Sequence, residues 1–137
     1  MPLQLEIVTP EAVVYSEAVD KAVIHTQSGE IGILPGHIPL LTVVMPGELH
    51  VEKNGVIDYL AVDHGYAEVI GDTVRVLTEA AINIEEVDIN SAIEAQRRAE
   101  EALAEADKLG EDPEILARLE RQARFAVIQK LMKENRS

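Results

Sequence analysis

Up to Asn83 apolar and polar residues alternate with a period of two, and after Val87 the period becomes helical. Leu3, Leu5 and Ile7 alternate with Gln4 and Glu6, and Leu49 and Val51 with Glu48, His50 and Glu52. Tyr66, Glu68 and Ile70 share one face, with Ala67 and Val69 on the other, and Val74 and Val76 flank Arg75. Such alternation predicts short strands with one buried face. Turn signals separate the runs: Thr9-Pro10, Pro46-Gly47, Asn54-Gly55, His64-Gly65 and Gly71-Asp72. Asn54-Gly55 is the strongest, because a type I′ hairpin needs positive φ at both central residues. The spacing predicts an all-β sandwich or flattened barrel over residues 1–87.

Residues 88–137 read as two helices. Ser91 and Glu94 match a capping box, with Asp88 an alternative cap one turn earlier. Ala92, Ala95, Ala99, Ala102, Leu103, Ala106 and Leu109 then recur at helical spacing, and Gly110 suits the position just past the end. Asp112-Pro113 restarts a helix, with Asp as cap and Pro in the first turn, and Leu116, Leu119, Ala123, Ala126, Val127 and Leu131 form its apolar stripe. The short connection predicts antiparallel neighbours. The expected fold class is therefore an N-terminal antiparallel β-sandwich followed by a C-terminal antiparallel two-helix hairpin. An alanine seam holds more weakly than a leucine seam, so the hairpin is expected to dock and undock.

Charge narrows the function. The net charge of −13 disfavours a free-standing nucleic-acid binder, since phosphate would be repelled. The acidity is concentrated in residues 1–87, at −11, against −2 in residues 88–137. Within the hairpin the first helix carries −3 and the second +3, with Arg118, Arg121 and Arg124 on the basic helix. The bland reading is two solvated faces; the sharper one is a cationic helix able to meet an acidic partner surface. There is no cysteine, which removes disulfides and thiolate chemistry and suits a reducing compartment. The N-terminus has no basic n-region or signal-peptide core, so export is not expected, and the apolar runs are too short to span a bilayer.

No catalytic constellation emerges. There is no Walker-type phosphate loop and no Gly-x-Ser-x-Gly elbow, and His25, His50 and His64 read as structural strand or turn residues. Asp63-His64 resembles half a triad without a nucleophile, and the Glu85–Asp88 acidic cluster lacks EF-hand spacing. His37 differs. It crowns Gly29-Glu30-Ile31-Gly32-Ile33-Leu34-Pro35-Gly36-His37-Ile38-Pro39-Leu40-Leu41-Thr42, a run whose glycines and prolines forbid an ordinary helix and predict a sharp, rigid loop between strands. A loop of that cost in special residues suits contact with a partner, although a loop-tip histidine bonded to backbone remains the bland alternative.

That run, with Ile7-Val8-Thr9-Pro10, Gly47-Glu48-Leu49, Gly65-Tyr66-Ala67-Glu68-Val69 and Val76-Leu77-Thr78-Glu79-Ala80-Ala81, resembles the epsilon subunit of bacterial F-type ATP synthases. The likeness extends over essentially the whole chain. It implies a non-catalytic rotor component, peripheral on the cytoplasmic face of the bacterial plasma membrane, whose sandwich joins the gamma subunit to the membrane ring of c subunits. It implies that Glu30 faces the c-ring loops and His37 the gamma subunit. It further implies that the hairpin either folds against the sandwich or extends into the catalytic alpha/beta head, where Arg118, Arg121 and Arg124 would meet the beta subunits and ATP hydrolysis is inhibited.

One departure concerns nucleotide. Family members that bind ATP on the hairpin carry Ile/Leu-Asp-x-x-Arg-Ala, and here the stretch is Val87-Asp88-Ile89-Asn90-Ser91-Ala92. Asp88 is kept, but Ser91 stands at the arginine position and offers no charged fork to phosphate. ATP binding by the isolated chain is expected to be weak or absent, and no cofactor is expected. Read from the residues alone, a second function stays open: a β-sandwich adaptor that dimerises through a coiled-coil hairpin.

Overall fold

The computed structural model describes residues 2–36 and 39–136, and the chain divides into two compact units, one to Ile84 and one from Glu85 onward.

The first unit holds ten strands: β1 (Leu3–Val8), β2 (Val13–Val19), β3 (Lys21–Thr26), β4 (Gly29–Ile33), β5 (Leu40–Val44), β6 (Gly47–Lys53), β7 (Val56–Val62), β8 (Gly65–Ile70), β9 (Thr73–Thr78) and β10 (Ala81–Asn83). Their order is β10-β7-β6-β3-β5-β8-β9-β1-β2, with β4 paired to β3. All the pairings are antiparallel except β1 with β9. β3 and β5 meet only at Thr26 and Val44, so the sheet turns a corner there and folds over itself into a sandwich. The far edge is clipped back by Lys53 Nζ to Glu17 Oε1 at 3.1 Å and by the Asp20 N–H, which donates to the Glu52 carbonyl at 2.8 Å.

The alternation read from the sequence sets which residues fill the interior. Leu3, Leu5, Ile7, Leu49, Val51, Ala67, Val69, Val74 and Val76 are all buried in one aliphatic core, with Ile24, Ile33, Val44, Leu60 and Val62. At the Asn54-Gly55 turn φ is +53 and +79, as a type I′ hairpin requires. A second glycine is fixed by space rather than by φ: a Cβ on Gly65 would lie 1.9 Å from the Leu77 carbonyl oxygen.

A single 3-10 turn, Ile84–Glu86, straddles the boundary, and the second unit continues as α1 (Ile89–Lys108) and α2 (Pro113–Arg136). The cap is Asp88, not Ser91. Asp88 Oδ1 accepts the N–H groups of Asn90 at 2.9 Å and Ser91 at 3.4 Å, and exposed Ser91 lies inside the first turn. The capping-box expectation therefore fails: the helix already begins at Ile89, so Ser91 lies inside it, and the Asp88 carboxylate complements the helix dipole better than a hydroxyl. The other end is a Schellman motif, with Gly110 at φ +68, its N–H on the Asp107 carbonyl at 3.2 Å and that of Glu111 on the Ala106 carbonyl at 3.0 Å. Asp112 caps α2, accepting the Glu114 N–H at 2.8 Å.

The α1 seam is narrower than its composition suggests. Ala92, Ala99 and Ala106, seven residues apart, are buried, whereas Ala95, Ala102 and Leu109 are exposed. A two-helix contact covers only a thin seam of each partner, and the rest of the stripe stays wet. On α2, Ala126 and Met132 are buried, while Leu131 stays about half exposed.

Candidate functional site

The sandwich leaves one outward face unusually apolar. Cross-strand partners line up in a row over five strands: Val13 of β2, Val8 of β1, Leu77 of β9, Tyr66 of β8 and Val43 of β5. Val13, Tyr66 and Leu77 are 62%, 57% and 46% exposed, and Val8 and Val43 are half-buried. The neighbouring row is Leu41, Glu68, Arg75, Glu6 and Ser16, in which Leu41 is 71% exposed and Arg75 Nε reaches Glu6 Oε2 at 3.3 Å. An apolar row bordered by a paired ionic one has the make-up of a protein-binding surface.

Alongside the middle of that row the face opens into a cleft of about 330 Å³, lined by Thr9, Pro10, His64, Tyr66, Leu77 and Glu79. Its floor is tied down by Thr78, whose buried hydroxyl donates to the Asp63 carbonyl at 2.8 Å. Asp63 is buried and its carboxylate accepts the backbone N–H of His64 at 2.8 Å. That carboxylate bond is a turn contact, and no serine lies in the cleft.

Glu30 is exposed near the start of β4, beside the Gln27-Ser28 turn. The glycine- and proline-punctuated run continues past the other end of β4, where the Gly36 N–H donates to Asp72 Oδ1 at 3.2 Å. β4 separates the two places by its own length, about 17 Å for five residues at ~3.3 Å each. His37 and Ile38 lie outside the described residues.

On the hairpin, Arg118 and Arg121 line one shallow hollow with Glu114, Ile115 and Ala117, and Arg124, exposed, does not line it. The ion pairs of Arg97 and Arg98 run along α1 itself: Arg97 to Glu94 and Glu101, and Arg98 to Glu94 at 3.1 Å. Hydrogen bonding from Arg97 first, and from Arg98 after it, holds the Glu94 carboxyl below its ordinary value. Asp88 spends its carboxylate on capping, so it and Ser91 assemble no charged pocket between them. Among the described residues no His, Cys, Asp and Glu group is placed to hold a metal ion, and no helix is long and apolar enough to cross a membrane.

The apolar row is the feature that sequence reading missed. The signal was present: Leu40-Leu41-Thr42-Val43-Val44 and Tyr66-Ala67-Glu68-Val69-Ile70 place apolar side chains on both faces of a strand.

Residues 2–84 match the family described as ATP synthase, Delta/Epsilon chain, beta-sandwich domain. The chain is 44% identical over 128 residues to the ATP synthase epsilon chain of Herpetosiphon aurantiacus, covering 93% of this chain and 91% of that one. It is 48% identical over 101 residues to the epsilon chain of Geotalea daltonii, covering 74% and 73%. Its fold resembles a chain in the Euglena gracilis mitochondrial ATP synthase structure (OSCP/F1/c-ring, rotational state 1), with a TM-score of 0.68 at 24% identity over 96% of this chain and 81% of that one.

Proposed function

Since the chain belongs to the family of ATP synthase epsilon chains, we propose that it is a non-catalytic subunit of the central stalk that couples the gamma subunit to the c-ring. The observation that carries this reading is the exposed row Val13–Val8–Leu77–Tyr66–Val43. Gamma would sit on that row, with one of its side chains in the adjoining cleft, and His37 would contact it from the rigid run. Glu30, a strand's length from that run, would face the c-ring loops. A stiff, closed sandwich suits the task, because a loose link would turn rotation into local strain.

The hairpin is the regulatory arm in this reading. Arg118, Arg121 and Arg124 would meet acidic surface on the catalytic beta subunits and restrain ATP hydrolysis. Nucleotide would bind it weakly or not at all: Ser91 supplies no cation for phosphate, and Asp88 caps the helix. The complex would hold the chain peripherally on the cytoplasmic face of the bacterial plasma membrane.

The regulatory role is tested by measuring ATP hydrolysis by the reconstituted head, with the full chain and with a version ending after Val87. The head carrying the truncated version is expected to hydrolyse faster. Equal rates would remove the inhibitory role while leaving the stalk role standing.

A further inference from the structure

Two of the chain's crossings between the layers of the sandwich meet at one hydroxyl. Asp63-His64 carries the chain from β7 to β8, and Glu79-Ala80 from β9 to β10. The crossings bond to each other: the Asp63 N–H donates to the Ala80 carbonyl at 2.9 Å, and the Glu79 N–H to the His64 carbonyl at 3.4 Å. Buried Thr78 Oγ1 stands between them. It donates to the Asp63 carbonyl at 2.8 Å, with the His64 and Ala80 carbonyls, both at 3.2 Å, as its alternative acceptors. The inward side of β9 runs Val74, Val76, Thr78, all buried, so a third valine would continue the apolar pattern. A hydroxyl replaces it at the place where three carbonyls converge.

Thr78 also closes the rung beside the exposed pair. It stands opposite Gly65, and the next rung is Tyr66 with Leu77. A Cβ on Gly65 would lie 2.8 Å from Thr78 Cα, so the two strands are pressed together there. β8 begins and β9 ends at that rung, where a ladder without a tie frays. The cleft takes His64, Tyr66, Leu77 and Glu79 from the same rungs and crossings. We infer that Thr78 is a positioning residue of the gamma-binding face: its hydroxyl locks the strand ends that hold Tyr66, Leu77 and the cleft wall. The inference rests on the reading that gamma sits on the apolar row. It adds that the grip is set before gamma arrives, so binding does not have to order those side chains. Thr78 acts through the Tyr66–Leu77 pair rather than by touching gamma.

The test is isothermal titration of the full chain against purified gamma, with two variants. Thr78→Val keeps the shape and loses the hydroxyl; Thr78→Ser keeps the hydroxyl. Thr78→Val is expected to weaken binding about three- to tenfold, the range that one hydrogen bond supports, and Thr78→Ser to bind within about twofold of the unaltered chain. Amide exchange of the free chains reads the lock itself. The Asp63 and Glu79 amides, which bridge the crossings, should speed up in Thr78→Val far more than those of β1, and not in Thr78→Ser. Equal binding by Thr78→Val, or an equal loss in both variants, overturns the positioning role while the gamma contact stands. Should Thr78→Val fail to fold, exchange in the unaltered chain decides: Glu79 is expected to be as protected as the middle of β8, and exchange as fast as an open turn overturns the lock. No binding of gamma by the unaltered chain overturns both readings.

Discussion

Gly65 lies so close to Leu77 that a Cβ on it would stand 1.9 Å from the Leu77 carbonyl oxygen, inside any real contact distance. The obstacle is backbone, which cannot swing aside. Gly65→Ala is therefore expected to destabilise the sandwich by about 2 kcal/mol or more. Gly55→Ala, which meets open space but needs φ +79, is expected to cost about 1 kcal/mol. Urea unfolding followed by tyrosine fluorescence measures both, because all three tyrosines lie in the sandwich.

Tyr15 puts a polar atom at the edge of the core. Its hydroxyl oxygen is sealed from solvent and makes no well-aligned hydrogen bond, with the Glu17 carboxylate close enough to interact with it. Burial first, then the nearby Glu17 and Asp58 carboxylates, push its pKa well above the ordinary 10. A group whose folded pKa is raised contributes stability that is full below its unfolded value and is lost as pH climbs above it. The unaltered chain should lose stability progressively above pH 10, the ordinary value. Tyr15→Phe should remove that share and leave neutral-pH stability within ~1 kcal/mol of the unaltered chain. Urea titrations at the two ends of that range, followed by far-UV circular dichroism, decide it.

The identity of the α1 cap gives a paired comparison. Asp88→Ala should cost about 1 kcal/mol of hairpin stability and speed amide exchange at Asn90 and Ser91, the two donors it satisfies. Ser91→Ala, at an exposed position inside the helix, should change stability by less than ~0.5 kcal/mol. Hydrogen exchange on the two variants separates the two caps.

Acid should loosen the same helix. Glu94 is held below its ordinary value of 4.5 by Arg97 and then Arg98. A carboxylate with a lowered folded pKa stabilises above its unfolded value, and that contribution is lost as pH falls through the lower folded one. Helicity at low salt should therefore drop below pH 4.5, the ordinary value, and part of that drop should vanish in Glu94→Gln. Far-UV circular dichroism reads it. The group is exposed, so added salt should shrink the effect.

The sandwich core was legible in the chain because one buried face per strand imposes a period of two, as at Leu3, Leu5 and Ile7 or Val74 and Val76. The Asn54-Gly55 turn was legible because few residues tolerate its φ values. The cap at Asp88 rather than Ser91 was not decidable, since both chemistries fit and only the helix start chooses. The width of the alanine seam was hidden too: helical periodicity marks every residue on a face, whereas packing buries only Ala92, Ala99 and Ala106. The apolar row escaped because register across five strands, not sequence spacing, brings Val13, Val8, Leu77, Tyr66 and Val43 together.

If gamma sits on that row, charge placed there should abolish binding and leave the core intact, because Tyr66 and Leu77 point outward. Isothermal titration of the full chain against the purified gamma subunit tests this directly. A one-to-one complex is expected, weakened at least about thirtyfold by Tyr66→Asp/Leu77→Asp, the loss of roughly one hot spot, while tyrosine fluorescence reports an unaltered unfolding midpoint. No binding by the unaltered chain, or equal binding by the charged variant, would contradict a stalk subunit that grips gamma through this face.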